Sequence, residues 1–463
     1  MKRDRYSNSR KDEVIGRYES GLKAGKFGYF EVDELETIIN HYMDDANPQE
    51  AMNAVRYGQR LHPNSTTLLT KQARLYADTG EISKALSIIE YIRTIDSGDD
   101  DANLLKGEIL LRKGMREQAM EIFDQLKRES NKDCAILLNI AYALNDSRMF
   151  DEALHFLEEA IAIEPKNTDV FYEMAFSLEQ KEMFDEAVVI YNKILDIAPY
   201  SNEAWYNLGQ IHMFHEDYGQ AIDAYEYAYA VTPNDFQSLF QKANAMLLSG
   251  RFQEAVETYE EYMDYTGESV NTCVLMGECY EKMGDFESAE AIYTKAHGLD
   301  EKDIEVLTGL CVCCLEQNKT DQALEYIQKM RNIQGNTCEL WIYEAEVHIL
   351  EEKKAEAIRC YNNALVINPD QPDALIALGK LHADDKKYTT ALAYYERAKK
   401  AGCEMERLSV LLAHTFFGLA DYEMCEKYLK EALSYNPMNI QAFLELCPEA
   451  IESPHIDLLK YLD

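Results

Sequence analysis

The chain has 463 residues, 47% of them apolar, with only 21 Gly and 10 Pro, and it carries 83 acidic against 46 basic residues for a formal charge of −37. That composition favours helix with ample material for a buried core and excludes extended disorder. The charge excludes a nucleic acid or an anionic membrane face as partner over most of the surface; it keeps a long, open structure soluble and suits a basic protein partner.

The first segment, residues 1–31, opens on Met1-Lys2-Arg3-Asp4-Arg5, which is charged and leads into no apolar stretch. Residues 1–10 are expected to be disordered. Residues 11–24 are expected to form a capping helix with Val14, Ile15, Tyr18 and Leu22 inward. No run of about eighteen apolar residues occurs anywhere, so a soluble, cytoplasmic protein is expected. The cysteines, 11 in all, are odd in number and begin only at Cys134. They read as reduced core residues rather than a disulfide framework. Asn64-Ser65-Thr66, Asn145-Asp146-Ser147 and Asn318-Lys319-Thr320 match the weak glycosylation pattern and are set aside for want of a secretion signal.

From residue 32 onward one small residue returns every 34 positions: Ala51, Ala85, Ala119, Ala153, Ala187, Ala221, Ala255, Ala289, Ala323, Ala357, Ala391 and Cys425. With that residue as position 20, the chain divides into twelve repeats, 32–65, 66–99, 100–133, 134–167, 168–201, 202–235, 236–269, 270–303, 304–337, 338–371, 372–405 and 406–439. Position 8 is also small in every repeat but the first, which has Ile39; position 24 is always large, as in Phe123, Tyr225 and Tyr395. Apolar positions 4, 7, 8 and 11, then 20, 24 and 27, follow helical spacing, so each repeat holds two amphipathic helices. Small residues at 8 and 20 let the axes approach, and the ring at 24 fills the space beside them.

Pro63, Pro165, Pro199, Pro233, Pro369 and Pro437 share position 32, where the second helix stops. Gly80, Gly114, Gly250 and Gly284 mark the turn within the pair. The run Asp99-Asp100-Asp101 lacks the spacing of a calcium loop and reads as a helix cap. Residues 440–463 supply a C-terminal cap, a helix from Ile440 to Leu446 and then, after Ser453-Pro454, a short one with Ile456, Leu458, Leu459 and Leu462.

No phosphate-binding loop, nucleophile elbow, dinucleotide fingerprint or H-E-x-x-H pair is present, and paired carboxylates are too common to be diagnostic. Cys311, Cys313 and Cys314, with Cys338 and Cys360 further on, suggest a thiolate metal site, but Cys311 and Cys314 occupy positions 8 and 11 of the seam and read as core. His212, His348 and His382 share position 11 and read as packed side chains. No catalytic residue, cofactor or metal is therefore assigned, and the protein is not expected to be an enzyme.

This pattern resembles the tetratricopeptide repeat, W-x2-L-G-x2-Y…A-x3-F…A…P, matched most fully from Ala204 to Pro233, with the resemblance extending over residues 32 to about 439. It departs where His replaces Tyr at position 11 and where Trp survives at position 4 only as Trp205 and Trp341. The resemblance implies an all-α, right-handed solenoid superhelix of antiparallel helix pairs, in which first helices line a concave groove. It places positions 2, 5, 6, 9, 12 and 13 on that groove, where acidic residues outnumber basic ones.

The middle repeats differ. There the groove positions hold Asn139, Tyr142, Tyr172, Phe176, Tyr206, Asn207, Gln210, Phe214, Phe240, Gln241 and Asn244. Amides bond an extended backbone in both directions, and aromatics give area at low entropic cost. The expected function is a non-catalytic scaffold or adaptor that binds an extended neutral-to-basic protein segment in this groove. The alternative is structural self-assembly, with the same aromatics buried in a homo-oligomer. Family members that clamp acidic chaperone tails use Lys and Asn, then Asn, then Lys and Arg on successive repeats; here Glu36 stands at the first Lys, and Asp101 and Leu105 at the last pair. Such tails are not expected partners, and neither is single-stranded RNA.

Overall fold

A computed structural model of the chain describes residues 2–24, 28–129, 133–451 and 453. Among the described residues the regular structure is helical throughout, in two compact units, Met1–Pro233 and Asn234–Asp463.

The first unit begins with the helix Lys2–Ala24, followed by antiparallel pairs from Val32–Asp44 with Pro48–Leu61 to Asn202–Phe214 with Tyr218–Val231. The opening helix corrects the expectation of disorder over residues 1–10. Its sequence before Gly16 contains neither Gly nor Pro and is rich in Lys and Arg, which propagate helix well. Val14 and Tyr18 are buried as expected, and Tyr18 stands edge-on to Phe30 and Tyr42 at 6.0 and 6.2 Å. Leu22 instead faces solvent, because Phe30 from the connecting segment fills the apolar site beside Tyr18.

In the second unit the pairs run from Phe236–Leu248 with Phe252–Thr266 to Met405–Gly418 with Tyr422–Tyr435. Asn439–Leu446 and a short 3-10 turn, Pro448–Ala450, follow and bury Ile440 and Phe443. The predicted final helix with Ile456, Leu458, Leu459 and Leu462 lies outside the described residues.

Each pair closes over the same seam. The Cα atoms of Gly107, Gly209, Gly277 and Gly379, all at position 8, lie so close to the ring at position 24 that a Cβ would come within 2.1 Å of Phe123, 2.6 Å of Tyr225, 2.4 Å of Tyr293 and 2.3 Å of Tyr395. Those rings are almost wholly buried. Burying one side chain of this size stabilises by about 1.5–3 kcal/mol, so the seam is the main source of cohesion within a pair.

Helix ends explain the constant register. Up to the helix Cys338–Leu350 the residue at position 34 caps the next first helix through its side chain, as where Ser65 accepts from the Leu68 amide, Asp99 from Ala102, Ser201 from Ala204 and Asp303 from Val306; the last two first helices have no such cap. Position 15, the turn within each pair, is left-handed in all twelve repeats. Gly80, Gly114, Gly250 and Gly284 hold it at φ of 75° to 81°, while Ala46, Arg148, Glu182, Glu216, Asn318, Glu352, Lys386 and Ala420 hold it at 52° to 60°. Gly267 and Gly335 replace Pro at position 32 and end their helices with positive φ.

Candidate functional site

The first helix of each pair turns positions 4, 7, 8 and 11 to the seam, which leaves positions 5, 6, 9 and 13 on another face. In the first unit this face carries three large rings still open to solvent: Tyr142 at 42%, Phe176 at 43% and Phe214 at 67% exposure. Tyr142 and Phe176 share position 9 in consecutive repeats, and Asn139 and Gln210 are exposed as well. The Phe214 ring leans on Phe184, with centroids 4.5 Å apart.

The other predicted residues of this unit are half-buried and already bonded to the scaffold. The Tyr172 hydroxyl shares a hydrogen bond with the Ser201 hydroxyl, which caps the next first helix. Asn207 donates to the Tyr191 hydroxyl at 3.0 Å, and that hydroxyl donates to Glu179 Oε1 at 2.6 Å. Tyr206 packs at 5.6 Å on Tyr225 and accepts from Gln210 Nε2 at 3.1 Å. Asn145, at position 12, links two repeats by donating to Glu173 Oε1 at 2.6 Å and to Ser177 Oγ at 2.8 Å. Burial raises the carboxyl pKa values of both Glu173 and Glu179 above the usual range, despite these bonds.

The three predicted residues of the second unit form their own set. Phe240 lies between Tyr259 and Tyr262, at 5.8 and 5.1 Å. Asn244 donates to Gln241 at 3.0 Å and accepts from the Tyr259 hydroxyl at 2.6 Å.

The helical core, its paired topology and the capped register are matched by family models along the chain. The description "Tetratricopeptide repeat" matches residues 144–211 and 280–341, "TPR repeat" matches 351–386, and a further "Tetratricopeptide repeat" model matches 407–439. The chain is a tetratricopeptide repeat protein. A model described as "Anaphase-promoting complex, cyclosome, subunit 3" also matches residues 215–296. Human tetratricopeptide repeat protein 21B is 30% identical over 185 residues, 39% of this chain, and human tetratricopeptide repeat protein 6 is 24% identical over 133 residues, 29% of this chain. These matches span 14% and 25% of the relatives' own lengths. Among solved structures, the C-terminal part of a TPR repeat-containing protein from Cytophaga hutchinsonii aligns with 51% of this chain and 98% of its own, at 17% identity and a TM-score of 0.44. Tetratricopeptide repeat arrays generally mediate protein–protein interactions.

The sequence reading missed a pocket of about 380 Å³ in the second unit. Glu346, Ile349, Asp373, Lys380, Asp384 and Arg407 line it, all from positions 2, 9, 12 and 13 of the last repeats. Arg407 Nη2 holds Asp373 Oδ1 at 2.6 Å, and desolvation, with Glu316 and Asp373 nearby, raises the Glu346 carboxyl pKa. Its signal was present at the same repeat positions; summing charge over the whole groove concealed this local mixture of apolar, acidic and basic residues.

The cysteines stand as free thiols, and Cys311, Cys313 and Cys314 are fully buried. Burial pushes their thiols up to about 12, about 12 and about 11, which makes them poor nucleophiles. Burial likewise lowers the pKa values of His212 and His382, and the His382 ring stacks on Tyr394 at 5.6 Å. Among the described residues, no helix is long and apolar enough to cross a membrane.

Proposed function

We propose that the protein is a non-catalytic scaffold that holds an extended, neutral-to-basic segment of a partner protein against its first helices. The observation that carries this reading is the exposure of Tyr142, Phe176 and Phe214 on one face of the first unit. Large rings left open beside exposed amides supply contact area and backbone hydrogen bonds together. The formal charge of −37 favours a basic partner and speeds its encounter. Phe240, Gln241 and Asn244 are the corresponding contact set of the second unit. Eleven free thiols suit a reducing compartment, and we place the protein in the cytoplasm.

Two triple variants test the reading by affinity capture from native extract with mass spectrometry. Tyr142→Ala with Phe176→Ala and Phe214→Ala is expected to fold and to lose a captured partner. Tyr172→Ala with Tyr206→Ala and Phe240→Ala removes rings packed into the scaffold and is expected to lower the melting temperature as well. If the first variant, shown to be folded, retains every partner, the reading fails. If it changes only the protein's own association state in light scattering, the exposed rings belong to self-assembly.

A further inference from the structure

The helix Cys338–Leu350 carries Glu344 and His348 four residues apart, on one face. They occupy positions 7 and 11 of their repeat, the seam side, opposite the helix Lys354–Ile367 with Cys360 at position 23. A Glu344 carboxylate oxygen, a His348 ring nitrogen and Cys360 Sγ all lie within 4.8 Å of one another. This is the one such histidine, cysteine and carboxylate group among the described residues.

Glu344 is the one acidic residue at position 7 and Cys360 the one cysteine at position 23, whereas His348 shares position 11 with His212 and His382. Position 7 is apolar in most other repeats, as in Ile140, Leu208 and Leu310, with Gln72, Lys106 and Lys242 the exceptions. A carboxylate among such neighbours is costly unless its oxygens are satisfied. Arg331 Nη2 satisfies only Oε2 of Glu344, while its guanidinium lies 5.0 Å from the centre of the Trp341 ring. His348 Nδ1 meets Glu351 Oε2 at 3.3 Å, and Lys353 holds the same carboxylate at 3.0 Å. A carboxylate on one imidazole nitrogen is the arrangement that orients a metal-binding histidine and leaves the other nitrogen's lone pair for the ion.

We propose that Glu344, His348 and Cys360 form a zinc site, binding through Oε1, Nε2 and Sγ. One thiolate, one imidazole and one carboxylate make a donor set suited to zinc rather than to magnesium or calcium. Zinc bond lengths of about 2.0–2.3 Å place tetrahedral donor atoms about 3.3–3.8 Å apart, so side-chain rotations closing the group by roughly 1 Å complete it. Cys360 releases its proton to solvent as the sulfur binds, zinc stays divalent, and no redox partner is involved. Three protein ligands leave the fourth position to water or to a donor from a bound protein. The metal ties both helices of the pair together. Through Glu344 and Arg331 it also reaches the preceding helix, Thr320–Gln334. It thereby fixes the helix whose Glu346 and Ile349 line the pocket of the second unit.

The test uses the full chain, stripped with a chelator and titrated with cobalt and then zinc. The native protein is expected to take up a single cobalt ion with a thiolate-to-metal charge-transfer band, which zinc abolishes by displacement. Cys360→Ser should remove that band, His348→Gln should weaken zinc binding at least tenfold, and Cys311→Ser should leave both unchanged. Zinc at about a hundredfold its Kd should raise the folded-to-unfolded ratio of the unit about a hundredfold, read as a higher melting temperature. Circular dichroism establishes folding of each variant; should Cys360→Ser melt early, His348→Gln decides the question. Absence of zinc uptake by the native chain, a charge-transfer band that survives in Cys360→Ser, or unchanged zinc affinity in His348→Gln would overturn the site.

Discussion

In the helix Asn202–Phe214, Leu208 and Gly209 are buried against the paired helix, while Gln210 and Phe214 of the same helix face out. One side is a seam in which Gly209 has no room for a methyl group beside Tyr225. The other is a wall on which the Phe214 ring leans on Phe184 yet stays largely open to solvent. Thirteen residues thus serve two demands: the seam repeats because each pair must close in the same way, and the wall varies because packing does not dictate it. Tyr172 and Asn207 stand between these extremes, since each faces the wall but bonds to the scaffold.

The seam should therefore respond first and most strongly to substitution. Phe123→Ala removes a fully buried ring and should cost about 3–5 kcal/mol in urea unfolding of the first unit. If it costs less than about 1 kcal/mol, the seam is not the source of cohesion inferred here. Gly209→Ala is the reverse test. Its Cβ would overlap the Tyr225 ring, and overpacking of this kind costs about 1–3 kcal/mol. Gly219→Ala, with nothing within 4 Å of the new Cβ, should instead stabilise its helix by about 0.5–1 kcal/mol. Opposite signs for these two glycines, only ten residues apart in sequence, would separate packing from helix propensity.

An intermediate effect is expected where the wall is wired to the seam. Tyr191→Phe deletes the hydroxyl that donates to Glu179 and accepts from Asn207. Leaving those buried or half-buried groups unpaired should cost about 1–3 kcal/mol, measured as a shift in the urea midpoint. A neutral outcome would mean that water replaces both bonds.

The seam was legible in the sequence because its requirements recur: small at 8 and 20, large at 24, and often Pro at 32 where the second helix stops. The left-handed turn was read only where Gly stands at position 15. Arg148, Glu182 and Glu216 adopt the same φ because the two flanking helices impose it, and no local preference of those residues announces it. The wall was legible as a set of positions but not as a set of partners. Asn207 meets Tyr191, and Asn145 meets Glu173, across a repeat boundary. Periodicity within one repeat carries no information about such contacts. The grouping of Glu344, His348 and Cys360 was hidden similarly, since positions 7, 11 and 23 meet only once two helices are paired.

Proton binding offers a smaller perturbation at each site, spread over both units. Burial raises the carboxyl pKa values of Glu173, Glu179, Glu278, Glu281 and Glu346 above the ordinary glutamate value of 4.5. A carboxyl raised by folding binds its proton more tightly in the folded chain than in the unfolded one. Its contribution is then greatest below the unfolded value and is lost as pH rises through the folded one. The melting temperature should accordingly fall as pH rises above the ordinary glutamate value, with self-repulsion of the acidic surface acting in the same direction. Replacing Glu179 and Glu346 with Gln should flatten that slope, and an unchanged slope would assign the dependence to surface charge alone.

The smallest stability effect belongs to the wall itself. Phe176 is 43% exposed at position 9, and Ala is a better helix former than Phe. Losing the half of the ring that still touches protein is offset in part by this gain, so Phe176→Ala should change unfolding free energy by less than about 0.5 kcal/mol. The same substitution is expected to weaken partner capture at least tenfold, because truncating an aromatic anchor at the centre of an interface typically costs about 2 kcal/mol or more. The discriminating result is this contrast between two measurements on one variant. A loss of stability comparable to that of Phe123→Ala would place Phe176 in the seam, whereas undiminished capture by a stable variant would leave the ring exposed without a binding role. Only the combination of intact folding and lost capture separates a surface kept open for a partner from one left incompletely packed.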